Sequence, residues 1–478
     1  MTHVPSKNFI NGAWRDSSTG ESFPVTNPAN DEVLAHVPSL SSDDVAHVIT
    51  VAERALSSWR TVPARKRSDI LLAISQALLT RVDDFATLIT AEQGKPLAES
   101  RGEVIYSANY FRWYSEEAVR VTGDIIPADS PNKRIFVLKE PVGVVGAITP
   151  WNFPVAMLAR KLGAALAAGC TFIAKPAPET PLSALALAEL CHNSGVPAGV
   201  FNVITGDAEM IGEHLMRSPV VRKVTFTGST EVGKILIRQS AETVKKLTLE
   251  LGGNAPFIVC DDADLEQAVE GAIYGKYRNA GQTCVCVNRF LVHQKIAPAF
   301  TARLITRSKE LVVGDGSASN TQVGPLISDE AAAKVTRLIN TAHDEGATVT
   351  LPPTSNPRGI RFISPTVITG VKPSMTIWKE EIFGPVSTIT TFATDEEAIT
   401  LANSTPHGLA AYVYSSNLSR AMKVSDRLEY GMVGINDTAI SAVQAPFGGI
   451  KESGFGREGG RYGIDDYLVL KYLSIAMP

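Results

Sequence analysis

Cys284 lies in the stretch RNAGQTCVCVNR, residues 278–289. A thiol can add to a carbonyl carbon if a helix end, a cation or local donors stabilise its thiolate. Free cysteine is also among the most buried residue types, so a packing role is the competing reading. Glu250 closes the run LTLELGGN and precedes two glycines. A carboxylate there can act as general base, or it can be a solvated strand end or ion-pair partner. Asn152 sits in PWNFP, 150–154, between two prolines and next to a helix that starts near Pro154. Its amide can donate to a developing oxyanion, a contact whose removal typically costs about 10²–10³ in rate, or it can cap the helix.

Cys286 follows Cys284 by two residues. In an extended loop such side chains can face the same way. A metal is not expected, because no second cysteine pair or histidine cluster accompanies them. A reversible disulfide between the two thiols is one reading, and a small packing residue is the other. GSTEVGK, 228–234, misses a Walker A loop because Ile235 stands where the magnesium-binding hydroxyl belongs. Without a Walker B strand, a P-loop NTPase is disfavoured. Gly228 and Ser229 at a strand end and helix start still suit close approach of a dinucleotide phosphate.

The elements that must position these residues are legible from pattern. GVVGAIT, CTFIAK, VFNVIT, KVTFTG and KLTLELGG, between 142 and 253, are β-branched runs without polar alternation. Such runs suit strands buried on both faces. Helical stretches separate them, which predicts a doubly wound parallel sheet with its ligand edge at Pro150–Pro154, Lys175 and Gly228–Ser229. No GxGxxG follows the first of these strands, so the usual Rossmann fingerprint is missing. DLEQAVEGAIYGKYRNAG reads as a helix with Gly281 after its end, which puts Cys284 on the following loop. A second alternating region runs from 254 to about 440. Residues 42–118 are mostly helical by pattern, opening on the capping signal SSDD. The tail YGIDDYLVLKYLSIAMP ends in an apolar strand that needs a sheet to join, in this chain or another subunit.

At 478 residues the chain exceeds what one core usually supports. Its 44% hydrophobic and 20% charged content is that of a globular protein. A net charge of -4 gives no pull toward nucleic acid or a membrane surface. The longest apolar run, Leu162–Ala174, is too short to span a bilayer. Five cysteines without a disulfide rhythm point to a reducing, cytoplasmic setting.

In order along the chain, PWNFP (150–154), GCTFIAKPA (169–177), FTGSTEVGK (226–234), LELGGNAP (249–256), GQTC (281–284), EEIFGPV (380–386) and PFGGIKESGFGRE (446–458) resemble the aldehyde dehydrogenase superfamily. RKLGAALAAGC, YRNAGQTCVCVNR and GREGGRYGIDDYL are most similar to its succinate-semialdehyde dehydrogenases. The resemblance implies an α/β fold: a Rossmann-type NAD(P) domain (1–118 and 142–248), a catalytic domain (249–440) and a β oligomerisation arm (119–141 and 441–478). It implies Cys284 as nucleophile, Glu250 as base and Asn152 as oxyanion donor. Cofactor contacts would come from Trp151, Lys175, Pro178, Gly228, Ser229, Leu251, Glu381 and Phe383, and Cys286 would be a redox partner. Arg160, Arg278 and Ser441 match the positions that hold a substrate carboxylate.

An arginine fork holding a semialdehyde by its anionic end would leave the aldehyde over the sulfur. The expected substrate is succinate semialdehyde, with glutarate semialdehyde or 2,5-dioxovalerate as the alternative. NAD or NADP is the expected cofactor. Pro178 stands where NAD-preferring relatives carry an acid, and Glu179 beside it leans the expectation toward NAD. A homodimer or homotetramer is expected, with neither nucleic acid nor membrane as partner. A non-catalytic protein of the same fold would show no aldehyde-dependent rise in reduced-cofactor absorbance.

Overall fold

The structure is a computed structural model and describes residues 5–478. The β-branched runs form the centre of an eight-stranded sheet. Its parallel strands lie in the order Phe201–Val203, Thr171–Lys175, Val144–Ile148, Val221–Thr227 and Lys246–Glu250. Every residue of Thr171–Lys175 is buried, as two covered faces require. The helix Pro154–Ala168 is buried along its whole length.

Val144–Ile148 is the switch point of this sheet. The next strand, Thr171–Lys175, lies on one side of it, and Val221–Thr227 lies on the other. Chain reversal there leaves a crevice at the carboxyl edge, where open α/β sheets bind ligands. Lys175 and Gly228 end up on that edge, as expected, with the 150–154 loop between them.

The second sheet has seven strands, in the order Thr348–Leu351, Thr366–Thr369, Val386–Phe392, Val287–His293, Ala255–Val259, Ala410–Tyr414 and Met432–Ile435. Only Thr348–Leu351, at the edge, runs antiparallel to its neighbour. Four helices cover residues 42–118, and the first opens on a capping box between Ser41 and Asp44. No helix among the described residues is long and apolar enough to cross a membrane.

Two connections differ from the pattern reading. The helix before Cys284 ends at Tyr277 rather than running to Gly281. Asn279 and Ala280 take left-handed conformations with φ of 52° and 55°. That costs an alanine about 1–2 kcal/mol. Tertiary bonds outweigh it: Asn279 N donates to Glu99 Oε2 (2.8 Å), its Nδ2 to the Asn152 carbonyl (2.9 Å), and Gln93 Nε2 to its Oδ1 (3.0 Å). The apolar tail, Leu468–Ala476, finds its sheet within the chain. It pairs antiparallel with Lys133–Pro141 from Leu468↔Pro141 to Ala476↔Lys133. Ile125, Leu470 and Tyr472 remain 74%, 71% and 57% exposed on this ribbon.

Candidate active site

One cavity of about 330 Å³ brings together Cys284, Arg160, Arg278 and Ser441. Arg160 comes from the helix Pro154–Ala168, Arg278 from the turn after Leu265–Tyr277, and Ser441 from the loop after Met432–Ile435. Tyr106, Phe153, Tyr274 and Phe447 supply aromatic walls.

Cys284 is partly exposed on this cavity. It sits in a tight turn closed by Cys286 N donating to the Thr283 carbonyl (2.9 Å). The LELGGN loop passes directly behind it: a Cβ added at Gly253 would lie 2.3 Å from the Cys284 carbonyl oxygen. Gly253 N in turn donates to Glu381 Oε1 (3.0 Å), which fixes that loop. The Cys284 N–H has no hydrogen-bond partner among the described residues. Burial pushes the thiol up to about 12; Arg160 and Arg278 oppose the rise, while Glu381 and Glu250 add to it.

Asn152 is buried beside this turn and donates from Nδ2 to the Gln282 carbonyl (3.1 Å). Its own carbonyl accepts from Lys95 Nζ (2.6 Å) and Asn279 Nδ2 (2.9 Å), so the loop is anchored from two sides. Glu250 ends its strand as expected but is not on the cavity wall. Its carboxyl is packed at Gly448, where a Cβ would come within 2.7 Å of Oε1. Neither carboxyl oxygen has a hydrogen-bond partner among the described residues. Burial, and then the like charge of Glu458, holds Glu250 well above the usual carboxylate range.

The two arginines are in different states. Arg160 is 1% exposed, ion-paired with Glu458 and 4.2 Å from the Phe447 ring centroid, with Nη2 unpartnered among the described residues. Lys161 pairs with the same carboxylate. Together they hold Glu458 below the usual range although burial works against it. Arg278 donates to the Tyr274 hydroxyl (3.2 Å) and lies 5.3 Å from the ring centroids of both Phe153 and Tyr274. No carboxylate is in ion-pair range of Arg278 among the described residues.

Cys286 is buried away from the cavity wall, with Lys276 Nζ donating to its sulfur at 3.4 Å. The turn therefore gives the two thiols different surroundings, unlike the extended loop expected from spacing.

At the switch-point edge, Lys175 is buried and forms no ion pair among the described residues. Burial lowers its pKa against the pull of Glu179 and Asp207. Pro178 is exposed. Ser229 caps the helix Thr230–Ser240 and follows Gly228, where a Cβ would meet the Phe226 ring at 2.4 Å. Leu251 packs on Gly233 of that helix. Trp151 and Phe383 meet edge to face at 5.6 Å, and Phe383 holds a left-handed φ of 55°. An unpaired buried ammonium, a capped helix N-terminus, an aromatic pair and the Glu381 carboxylate fit a nicotinamide dinucleotide at this crevice.

Sequence reasoning missed Glu458, Glu99 and the aromatic walls. Glu458 lies within the 446–458 motif, but nothing in the residue string joins it to Lys161, 297 positions away, or to Arg160 beside it.

This chain, with a thiol facing a cavity beside a doubly wound sheet, belongs to the aldehyde dehydrogenase family. The family profile "Aldehyde dehydrogenase family" matches residues 14–473. Its members are NAD(P)-dependent oxidoreductases. The chain is 50% identical over 469 residues to succinate-semialdehyde dehydrogenase [NADP(+)] of Escherichia coli (strain K12), covering 98% of this chain and 97% of that one. It is 49% identical over 471 residues to glutarate-semialdehyde dehydrogenase of Pseudomonas putida KT2440, with the same shares covered. The crystal structure of succinate-semialdehyde dehydrogenase from Burkholderia pseudomallei superposes with a TM-score of 0.98 at 51% identity, covering 99% of this chain and 98% of that chain.

Proposed function

We propose that this chain oxidises succinate semialdehyde to succinate with NAD or NADP. The observation that carries the reading is one cavity lined by Cys284 together with Arg160, Arg278 and Ser441. Charge-assisted hydrogen bonds from a guanidinium contribute about 1.5–3 kcal/mol each. A carboxylate held at Arg278 and Ser441 turns the aldehyde end of a short chain toward the sulfur. The names of the relatives support the same guest class, an aldehyde with a distal carboxylate. Glutarate semialdehyde and 2,5-dioxovalerate, one carbon longer, are the alternative guests.

In the proposed reaction the Cys284 thiol gives its proton to water and its sulfur adds to the aldehyde carbon. The oxyanion receives the unpartnered Cys284 N–H and the Asn152 amide, whose Nδ2 is next to the turn. The nicotinamide, when bound, supplies the hydride acceptor. Trp151, Lys175, Pro178, Gly228, Ser229, Leu251, Glu381 and Phe383 would hold the dinucleotide. The acyl group left on Cys284 is a thioester, and Glu250 takes the proton from the water that hydrolyses it. For that step Glu250 must turn away from Gly448, where burial and Glu458 raise its pKa and so disfavour the carboxylate form a base needs.

Glu179 beside Lys175 would oppose a 2′-phosphate and supports NAD. The name of the Escherichia coli relative supports NADP. Five unbridged thiols support a cytoplasmic setting. The exposed Ile125, Leu470 and Tyr472 support an oligomerisation arm made of 119–141 and 441–478, set against a cofactor domain (1–118 and 142–248) and a catalytic domain (249–440). The test is steady-state kinetics on succinate semialdehyde, glutarate semialdehyde, 2,5-dioxovalerate and butanal, each with NAD and NADP. A carboxylated aldehyde should exceed butanal in kcat/KM by about tenfold or more; butanal turning over equally well would refute the reading.

A further inference from the structure

The helix Leu97–Ala118 carries two acids one turn apart, Glu99 and Glu103. Glu103 is fully engaged. Its Oε2 accepts from Lys95 Nζ (2.6 Å), and its Oε1 accepts from Val155 N (2.9 Å) and Ala156 N (3.2 Å). It therefore caps the helix that bears Arg160. Glu99 differs. Its Oε2 accepts from Asn279 N (2.8 Å), and its carboxylate is in ion-pair range of no cation among the described residues. It lines the cavity together with Arg278, which is equally without an ion pair. Besides Arg160 and Glu103, which are tied to Glu458 and Lys95, the cavity thus carries a cation and an acid, Arg278 and Glu99, with no ion pair between them among the described residues.

We propose that Glu99 sets the pH range over which the cavity accepts a carboxylate: ionised, it opposes the guest's charge at Arg278, and protonated, it leaves that arginine to the guest. This deepens the reading above and rests on Arg278 as the carboxylate holder. The groups around Glu99 are Lys95 before its helix, Glu103 and Tyr106 on it, and Tyr274, Arg278 and the Asn279 N–H on the element opposite. Burial dominates and raises Glu99 to about 7; Lys95, Arg278 and the Asn279 N–H pull it down, and Glu103 adds to the rise. Below about pH 7 the carboxyl is therefore mostly neutral, and above it mostly anionic. An anionic guest raises it further, so binding above that pH draws a proton from solution.

The size of the effect follows from the competent fraction. With its midpoint at about 7, the protonated form falls from about nine-tenths at pH 6 to about one-tenth at pH 8, weakening apparent affinity by about tenfold.

The test uses the full chain and butanoate, a four-carbon monocarboxylate that stays ionised over this range, titrated calorimetrically between about pH 6 and pH 8. Wild type should weaken about tenfold. Glu99→Gln keeps an acceptor for the Asn279 N–H, so it should bind about as tightly at pH 8 as at pH 6. A slope that persists in Glu99→Gln, or a flat wild type, overturns the proposal. Wild type alone offers a second readout: titration at pH 8 in two buffers of different ionisation heat should show uptake of about one proton per site, and no uptake overturns it. Arg278→Ala separates the layers. If it binds butanoate undiminished, the underlying carboxylate reading fails; if binding needs Arg278 while Glu99→Gln keeps the slope, only the role of Glu99 fails.

Discussion

Replacing Arg278 with alanine tests the carboxylate reading most cleanly, because its charge is not tied to another residue. Arg160 is paired with Glu458, so its removal would leave a buried carboxylate with only Lys161 and confound recognition with folding. Arg278 is bonded to the Tyr274 hydroxyl and stacked between two rings, and its loss breaks no ion pair among the described residues. A charge-assisted hydrogen bond to a carboxylate is worth about 1.5–3 kcal/mol. At about 1.4 kcal/mol per tenfold, kcat/KM for succinate semialdehyde should fall about 10- to 150-fold. Glu99, left without its neighbouring cation, pushes the loss toward the upper end. Butanal has no carboxylate to lose and should fall by less than about threefold, the share of lost packing against Phe153. The assay is reduced-cofactor absorbance with both aldehydes at neutral pH. Equal losses on the two substrates, or no loss on the semialdehyde, would remove Arg278 from the carboxylate site.

Three further outcomes are expected. Glu250→Gln should keep a first-turnover burst of reduced cofactor while steady-state turnover drops by about 10²-fold or more, because the water loses its base; unchanged steady-state turnover would exclude the role. With its thiol pushed up to about 12, resting Cys284 loses its proton only as pH rises, so alkylation by iodoacetamide should speed up about tenfold per unit from pH 7 to pH 9. A plateau near pH 8 would show a thiol far more acidic than its burial dictates. For Cys286 to bridge to Cys284, the 283–286 turn must open and the contact with Lys276 must break. Peroxide inactivation that thiol reverses in wild type and that is absent in Cys286→Ser would show this happens; irreversible loss in both proteins would show it does not.

Much of the fold was legible because burial on both faces leaves a direct mark, an unbroken β-branched run, and Ser41 with Asp44 marks a helix start by chemistry alone. The site was legible in another way. Cys284, Asn152 and Glu250 offered reactive groups at element ends, but the convergence of Arg160, Arg278 and Ser441 on one cavity followed from resemblance, since no pattern in the chain joins them. What escaped depends on long-range contact. Asn279 and Ala280 end a helix early because Glu99, Gln93 and Asn152 hold them. Glu250 is packed at Gly448, a residue far away in sequence. Glu99 reads as an ordinary first-turn acid until its helix is packed beside Arg278.

The stretch after residue 446 has a consequence for when the protein becomes competent. Gly454 pairs with Glu250, Ser453 Oγ donates to the Gly252 carbonyl (2.8 Å), and Glu458 balances Arg160 and Lys161. A ribosome that has just translated Cys284 has made the proposed nucleophile but not the clasp that seats the loop behind it. Until Glu458 emerges, two cations destined for the interior have no counter-charge.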